Sequence, residues 1–181
     1  KANRTGQAEI RVNRKIAGAR SLDDALKLLW VSTSRILPCD RLSVTFLDED
    51  RERLVSYRTL TAYEPLHLKD GFAGDLRGSS LQKVIESGAP RIINDLEAYG
   101  KAHPQSVSTR LLVQEGVRSS MTCPLVVDGR IVGVLFRSSR QSSAYSQHHV
   151  HLHEAMAERL SQAVEKAYHI ERLTAANKSY L

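Results

Sequence analysis

The sequence predicts an α+β domain in which an antiparallel sheet carries helices on both faces. Two runs of alternating apolar residues, 119–127 and 130–138, flank Asp128-Gly129, a dipeptide typical of a tight hairpin turn. Helical patterns lie near both ends of the chain, and shorter helical patterns lie between the strands. With 181 residues, 41% of them hydrophobic, the chain has the composition of one folded domain with extensions.

The first third of the chain predicts a helix and a hairpin. The helix begins at Ser21, a suitable N-cap, and ends before Pro38. Residues 41–47 then alternate as a strand, and residues 54–60 form the returning strand. We expect residues 61–78 to form a long loop. The apolar positions of the helix are Leu22, Ala25, Leu26, Leu29 and Ile36, and those on one side of the first strand are Leu42, Val44 and Phe46.

The remaining predicted elements are short until the end of the chain. A helix over 79–88 ends at Gly88, which suits a left-handed C-terminal position. A strand over 91–93 follows, then a polar stretch to 108, a helix over 109–115, the second hairpin and a final helix after Ser146.

The final helix carries a narrow apolar stripe at alternating spacings of four and three residues, a pattern that favours pairing with another helix. We therefore predict a parallel homodimer through this helix. The predicted dimer residues are Met156, Leu160, Ala163, Ala167, Ile170, Thr174 and Asn177.

Charge and cysteine content narrow the class of protein. Residues 1–20 hold six basic side chains and one acidic one, so the rest of the chain is nearly neutral despite a net charge of +6. A basic segment without interleaved aromatic residues does not predict nucleic-acid binding.

No apolar run approaches the roughly 18 residues of a membrane span. Cys39 and Cys123 are too few for a disulfide framework, which favours a reducing, cytoplasmic setting.

Two features of the sequence allow either a functional or a structural interpretation. His149 and His153, four residues apart on the final helix, are candidate metal ligands, whereas a solvated first turn would only titrate near pH 6.5. Arg137 stands in an otherwise apolar strand. It would hold an anionic ligand or an interface carboxylate, or else lie at a strand end with its guanidinium in water.

Six segments together carry a family resemblance, namely LPCDRLSV (37–44), VIESGAP (84–90), NDL (94–96), EGVRS (115–119), CPLVVDGRIVGVL (123–135) and AVE (163–165). Over roughly residues 21–167 the chain resembles the GAF domain, a small-molecule-binding signalling module. The stretches 136–139 and 172–181 resemble GAF domains that precede the phosphoacceptor helix of bacterial sensor histidine kinases.

This resemblance implies a six-stranded antiparallel sheet, with the terminal helices on one face and a ligand pocket under short helices and loops on the other. Ser43 and Thr45 would then lie on the pocket face, where a ligand, water or local backbone satisfies their hydroxyls. The ligand-binding candidates are Ser43, Thr45, Arg58, Phe72, Asp95, Ser120 and Thr122.

Known GAF ligands allow some expectations about cofactors. The stretch 94–116 contains no cysteine for bilin attachment, and the N-K-F-D-E signature of cyclic-nucleotide-binding members is absent. The sequence therefore disfavours a bilin and a cyclic nucleotide. Haem would need His67 or His103 as an axial ligand and is not expected either.

The resemblance implies a regulatory, non-enzymatic module of a longer protein with a kinase or other output domain. We expect residues 1–20 to be a linker or helix, 21–167 the GAF domain and 168–181 a signalling helix leading to an output domain that this chain lacks. One alternative is a GAF-like methionine sulfoxide reductase, which requires pocket cysteines, although Cys123 faces away from the predicted pocket. Another is a ligand-free GAF module that dimerises upstream of a diguanylate cyclase or a sigma-54 activator.

Overall fold

The computed structural model describes the backbone of residues 16–179 and the side chains of residues 22–166. Within this part, five helices and six strands form the architecture that the resemblance implied. The elements are α1 (Ile16–Thr33), β1 (Arg41–Leu47), β2 (Arg53–Thr61), β3 (Ala73–Asp75), α2 (Gln82–Ser87), β4 (Arg91–Ile93), α3 (Leu96–Ala102), α4 (Val107–Gln114), β5 (Ser119–Val127), β6 (Arg130–Ser139) and α5 (Gln147–Ser179).

All six strands form one sheet in the order β3-β2-β1-β6-β5-β4, and every neighbouring pair is antiparallel. The β5–β6 hairpin turns at Asp128 and Gly129, whose φ angles of 53° and 74° match the left-handed positions of a type I′ turn. At the centre, β1 and β6 approach so closely that a Cβ on Gly133 would lie 2.3 Å from the Thr45 carbonyl oxygen. Only glycine fits there.

The helices α1 and α5 cover one face of the sheet. Their apolar stripes pack against the inward side chains of β1, β5 and β6, and each fully buried leucine stabilises the fold by about 1.5–3 kcal/mol. The largest core cluster consists of Leu22, Leu26, Leu29, Leu37, Leu42, Val44, Cys123, Leu125, Val127, Leu135, Met156, Ala157, Leu160 and Val164.

Several elements differ from the sequence-based prediction. Helix α1 already includes Ile16, upstream of Ser21, and ends at Thr33, so Ile36 lies in a turn and is 60% exposed. The predicted loop 61–78 contains strand β3, which pairs with β2. The polar stretch before residue 108 contains helix α3, which the sequence pattern did not indicate because only Leu96 of this helix is buried.

Arg137 lies inside the helix layer, so both interpretations of this residue are corrected. Its side chain is fully buried and donates hydrogen bonds from Nη2 to Thr33 Oγ1 on α1 (3.0 Å) and to Met156 Sδ on α5 (3.2 Å). Its Nε lies 3.4 Å from His153 Nδ1. Because His153 Nε2 is 3.0 Å from the Leu135 carbonyl oxygen, Nε2 carries the proton and Nδ1 accepts from Arg137. Arg137 and His153 thus join β6 to both terminal helices.

His153 is expected to make the fold sensitive to acid. Burial and the neighbouring Arg137 lower its pKa to about 3, whereas the unfolded chain binds this proton near pH 6.5. Below that pH the unfolded state therefore holds more protons, and the free energy of unfolding decreases by up to about 1.4 kcal/mol per pH unit as pH falls. Urea unfolding at several pH values between 7.5 and 5 measures the decrease.

Matched variants separate this residue from the other titrating groups. His153→Gln, which does not titrate, is expected to show a shallower decrease than the wild type. His148→Gln, at an exposed position of the same helix, is expected to keep the wild-type slope. Equal slopes in all three proteins would show that His153 does not couple folding to pH.

Candidate functional site

The sheet face opposite the terminal helices holds a cavity of about 90 Å³. It is closed by the loop that contains Leu68 and Phe72, by residues 79–81 before α2, and by α3 and α4. This volume holds a handful of water molecules, since one water needs about 10–15 Å³ measured in this way. The site is therefore a space of a few water molecules between the sheet and its short helices.

Hydroxyl groups dominate the polar lining of the cavity. They come from four strands and two helix starts, and they face eight apolar side chains, among them Phe72 and Phe136. A cavity with many short donors and acceptors orients a polar ligand by hydrogen bonds. The nine hydroxyl residues are Ser43, Thr45, Ser56, Ser79, Ser80, Ser108, Thr109, Ser120 and Ser138.

Strand alternation explains how these hydroxyls reach one face. On β1, Leu42 and Val44 belong to the helix-side core, whereas Ser43 and Thr45 line the cavity. On the neighbouring strands Ser120 and Ser138 lie beside each other, with their Oγ atoms 3.4 Å apart. The predicted placement of Ser43 and Thr45 opposite the terminal helices agrees with the structure.

A buried ion pair closes one end of the cavity. Arg41, 2% exposed, approaches Glu115 with Nε 3.4 Å from Oε1, and it donates to Ser43 Oγ (2.9 Å) and to the Leu68 carbonyl oxygen (2.8 Å). Glu115 accepts from the Tyr63 hydroxyl (2.5 Å) and from the Leu68 amide (2.7 Å). Burial lowers the pKa of Arg41, and Glu115 opposes this effect. The pair ties β1, the covering loop and the end of α4 together.

Arg91 supplies the cavity's second guanidinium. It begins β4 after Pro90, and its Nη1 donates to the Ser80 carbonyl oxygen. Its Nε is buried and has no hydrogen-bond partner. The guanidinium carbon lies 5.7 Å from the centre of the Tyr99 ring. Burial lowers the pKa of Arg91, and the Tyr99 phenol opposes this effect.

The predicted ligand-binding residues divide into two groups. Ser43, Thr45, Phe72 and Ser120 line the cavity. Thr122 shares the face of Ser120 but lies farther along β5 beside Arg91, buried at 1% exposure and outside the lining.

Arg58, predicted to bind ligand, lies on the helix side of the sheet because of a β-bulge. Thr45 pairs with Ser56 and Val44 pairs with Arg58, so Tyr57 is an extra residue in β2. The extra residue turns Arg58 to the helix side, where it pairs with Asp23 of α1 at 3.1 Å.

Asp95 has a structural role instead. Its carboxylate accepts a hydrogen bond from the Ala98 amide (3.0 Å) and caps the start of α3. The side chain does not line the cavity.

Sequence reasoning missed Arg41, Arg91 and Glu115. The sequence did contain a signal for Arg41, because strand alternation places it on the same face of β1 as Ser43 and Thr45. Arg91 and Ile93 likewise share one face of β4, and both line the cavity. Nothing in the local pattern indicates Glu115, because its partners are 47 to 74 residues away in sequence.

The two histidines that the sequence offered as metal ligands make hydrogen bonds within the protein instead. Both ring nitrogens of His153 are hydrogen-bonded within the core, and His149 Nδ1 accepts from the Ser146 amide at the start of α5 (3.0 Å). Among the residues that the structure describes, no group of three His, Cys, Asp or Glu side chains is placed to hold a metal ion. The buried, hydrogen-bonded ring of His153 therefore does not support the interpretation of His149 and His153 as a metal pair.

The two thiols belong to the helix side of the sheet rather than to the cavity. Cys123 is part of the main core and Cys39 packs against it. Burial raises the pKa of both thiols, to about 12 for Cys123. Neither thiol is presented to the cavity as a thiolate nucleophile.

The predicted dimer residues fall partly in the domain's own core. Met156 and Leu160 are 8% and 0% exposed against α1 and the sheet, so in this fold their side chains do not face a partner. Ala163 packs against the same core. The side chains of Ala167, Ile170, Thr174 and Asn177 lie outside the described residues.

A family model described as GAF domain matches residues 19–165, so the chain belongs to the GAF domain family. A comparison with curated proteins found no match. Within the described residues, no helix is both long and apolar enough to span a membrane.

Solved structures of GAF domains share the fold. The GAF domain of a two-component sensor histidine kinase from Bacillus halodurans is 16% identical, with a TM-score of 0.68 over 81% of this chain and 95% of that chain. A GAF domain/HD domain protein from Geobacter sulfurreducens is 14% identical, with a TM-score of 0.63 over 87% and 97%. The phycocyanobilin-bound GAF domain of a cyanobacterial phytochrome is 16% identical, with a TM-score of 0.64 over 88% and 94%.

The last comparison corrects the expectation about cofactors. A GAF domain that is named as phycocyanobilin-bound has the same fold over most of its length. The lack of a cysteine in residues 94–116 is therefore not a sufficient reason to disfavour a bilin, and that prediction was wrong.

Breaking the Arg41–Glu115 pair is expected to destabilise the domain strongly. Glu115→Gln leaves a buried guanidinium without its countercharge, which lowers the free energy of unfolding by about 3–5 kcal/mol. Glu97→Gln breaks the pair with Arg118 at the surface, where Glu97 is 53% exposed, and changes it by less than about 1 kcal/mol. Urea unfolding compares the two variants, and similar losses would mean that the buried pair is not special.

Proposed function

We propose that this chain is the small-molecule-sensing module of a bacterial signalling protein and that it relays the state of the cavity through α5. One observation carries the proposal. Strand β6 presents Phe136 and Ser138 to the cavity, while Arg137 between them holds both terminal helices. A ligand that shifts β6 therefore moves the residue that anchors α1 and α5.

The relay requires two arrangements of the helices. A ligand biases their equilibrium only if it binds one arrangement more tightly than the other. Arg137 is suited to report such a shift, because it has fully buried contacts of 3.0 to 3.4 Å to Thr33, Met156 and His153. Packed contacts of this kind change between discrete arrangements rather than stretch continuously.

The length of α5 supports an output beyond the domain. Helix α5 is 33 residues long, which corresponds to about 50 Å at 1.5 Å per residue. We propose that this helix leads to an output domain, with a cytoplasmic sensor histidine kinase as the first expectation. The GAF relatives from a sensor histidine kinase and an HD domain protein support a signalling context.

We further propose that the module is a homodimer in which the outer face of α1 contributes alongside the distal part of α5. Leu28 and Val31 on α1 are 65% and 71% exposed and together form a small apolar patch. The two residues are about one helical turn apart, on the side of α1 that faces away from the core. A second copy of the helices would cover them.

The regulatory proposal places no enzymatic role on this domain. Both thiols lie on the helix side of the sheet with raised pKa values, so the observations do not favour reduction of methionine sulfoxide at the cavity. A kinetic assay with free methionine sulfoxide tests this directly, and turnover by the isolated domain would contradict the proposal.

Filling the cavity is expected to displace a bound small molecule. Thr45 lines the cavity and is only partly buried, so Thr45→Phe places a ring in the space with little effect on the core. Mass spectrometry of the natively purified proteins should find a small molecule with the wild type and lose it with Thr45→Phe. Val126→Phe, at a 45% exposed site on β5, should retain it.

The relay has its own test. Single cysteines introduced between positions 163 and 177 are cross-linked by oxidation before and after the bound molecule is removed by unfolding and refolding. The pattern of cross-linked positions is expected to change. Identical patterns would contradict signalling through α5 even if the cavity binds a ligand.

Charge on the outer face of α1 is expected to separate the dimer. The double substitution Leu28→Glu with Val31→Glu puts like charges against each other in a two-fold interface. Light scattering after size exclusion should give a dimer for the wild type and a monomer for the double variant. Val107→Glu, an exposed apolar site on α4, should remain dimeric. A monomeric wild type would contradict the dimer.

A further inference from the structure

The charges that line the cavity are not balanced. Arg41 is compensated by the buried carboxylate of Glu115. Asp75, whose side chain is 80% exposed, pairs with Arg53 at 3.6 Å. Among the described residues, no carboxylate pairs with Arg91. The cavity lining therefore has an excess of one positive charge, and this charge lies on Arg91.

Arg91 also has a hydrogen-bond donor without an acceptor. Nη1 donates to the Ser80 carbonyl oxygen, while the Nε–H group is buried with no acceptor. An unsatisfied buried donor costs about 1–3 kcal/mol, and more when it is charged. The planar guanidinium fork matches the two oxygens of a carboxylate or a phosphate. An oxyanion in the cavity would supply both the missing acceptor and the missing charge.

Helix α4 brings a second group of donors to the same cavity. Its first turn contributes Ser108 and Thr109 to the lining, and the N-cap Ser106 makes no capping bond to a backbone amide. The Ser106 hydroxyl bonds the Thr109 hydroxyl instead, at 2.8 Å. The first amides of a helix have no partner within the helix and carry partial positive charge. These amides and the hydroxyls thus add to the preference for an anion.

We propose that the cavity binds a small ligand bearing an oxyanion, a carboxylate or a phosphate group, with Arg91 as the residue that holds the anion. The inference rests on the proposed sensing function and names the ligand class for it. The hydroxyls of Ser43, Ser120 and Ser138 then contact the remaining polar part of the ligand, and the apolar side chains enclose the rest.

Sodium acetate and sodium phosphate are the minimal probes, and sodium chloride at equal ionic strength is the reference. Amide chemical shifts of the ¹⁵N-labelled protein, stripped of any bound molecule, are followed during each titration. Saturable shifts at Ser80, Ser108 and Ile93 with acetate or with phosphate, but not with chloride, support the site. The probe that saturates at the lower concentration identifies the oxyanion as a carboxylate or a phosphate.

Substitution of the arginine tests its role. Arg91→Gln is expected to weaken binding roughly tenfold or more, because it removes a charge-assisted pair of hydrogen bonds. Arg118→Gln removes a cation that already has a carboxylate partner outside the cavity and is expected to bind like the wild type. Arg91→Lys keeps the charge but loses the fork, and intermediate affinity is expected, which separates loss of the site from loss of the fold. Equal affinity for Arg91→Gln and Arg118→Gln, or equal shifts with chloride, would overturn the proposal.

Failure of this proposal is distinguishable from failure of the sensing function. If the molecule that co-purifies with the wild type is neutral or cationic, the oxyanion assignment is wrong while ligand sensing stands. If acetate or phosphate binds through Arg91 and the cross-linking pattern of α5 does not respond to it, the ligand class stands and the relay is wrong.

Discussion

Along β1 and β6, neighbouring side chains point to opposite faces of the sheet, and this two-residue period decides which groups reach the cavity and which reach the helices. Ser43 and Thr45 face the cavity because Leu42 and Val44 must be buried under α1 and α5. A slip of one residue would bury the hydroxyls in the core and expose the leucine and valine. The close approach of the two strands at Gly133 holds this register, since no side chain fits there.

A polar cavity inside a small domain needs compensation for its buried groups. At one end of the cavity the buried charges are paired with each other, whereas at the other end one buried charge has no carboxylate partner among the described residues. The Arg41–Glu115 pair is surrounded by hydrogen bonds to Tyr63, Leu68 and Ser43, so the charges are matched and the covering loop is tied to the sheet. Arg91 has no such carboxylate. A structural ion pair and a guanidinium without a carboxylate partner in the described part of the chain thus line one cavity.

The helix face shows how a sheet of this kind can report on its cavity. Arg137 is a fully buried cation between residues that line the cavity, and its contacts reach α1 and α5 at once. A hydrophobic residue at this position would pack the layers together without directional bonds. Hydrogen bonds to Thr33 and His153 instead specify the relative position of strand and helices, which is the property that a relay needs.

The sequence alone determined the sheet hairpins, the helix-side core and the hydroxyl face, because alternation and the Asp128-Gly129 turn are local patterns that tertiary contacts did not override. It did not determine the faces of Arg58 and Arg137, the short strand β3 or the partners of Glu115. A single extra residue at Tyr57 reverses the side on which Arg58 lies, and no composition signal marks such a bulge. Arg137 and Glu115 are buried by partners far away in sequence, and only the folded chain brings those partners together.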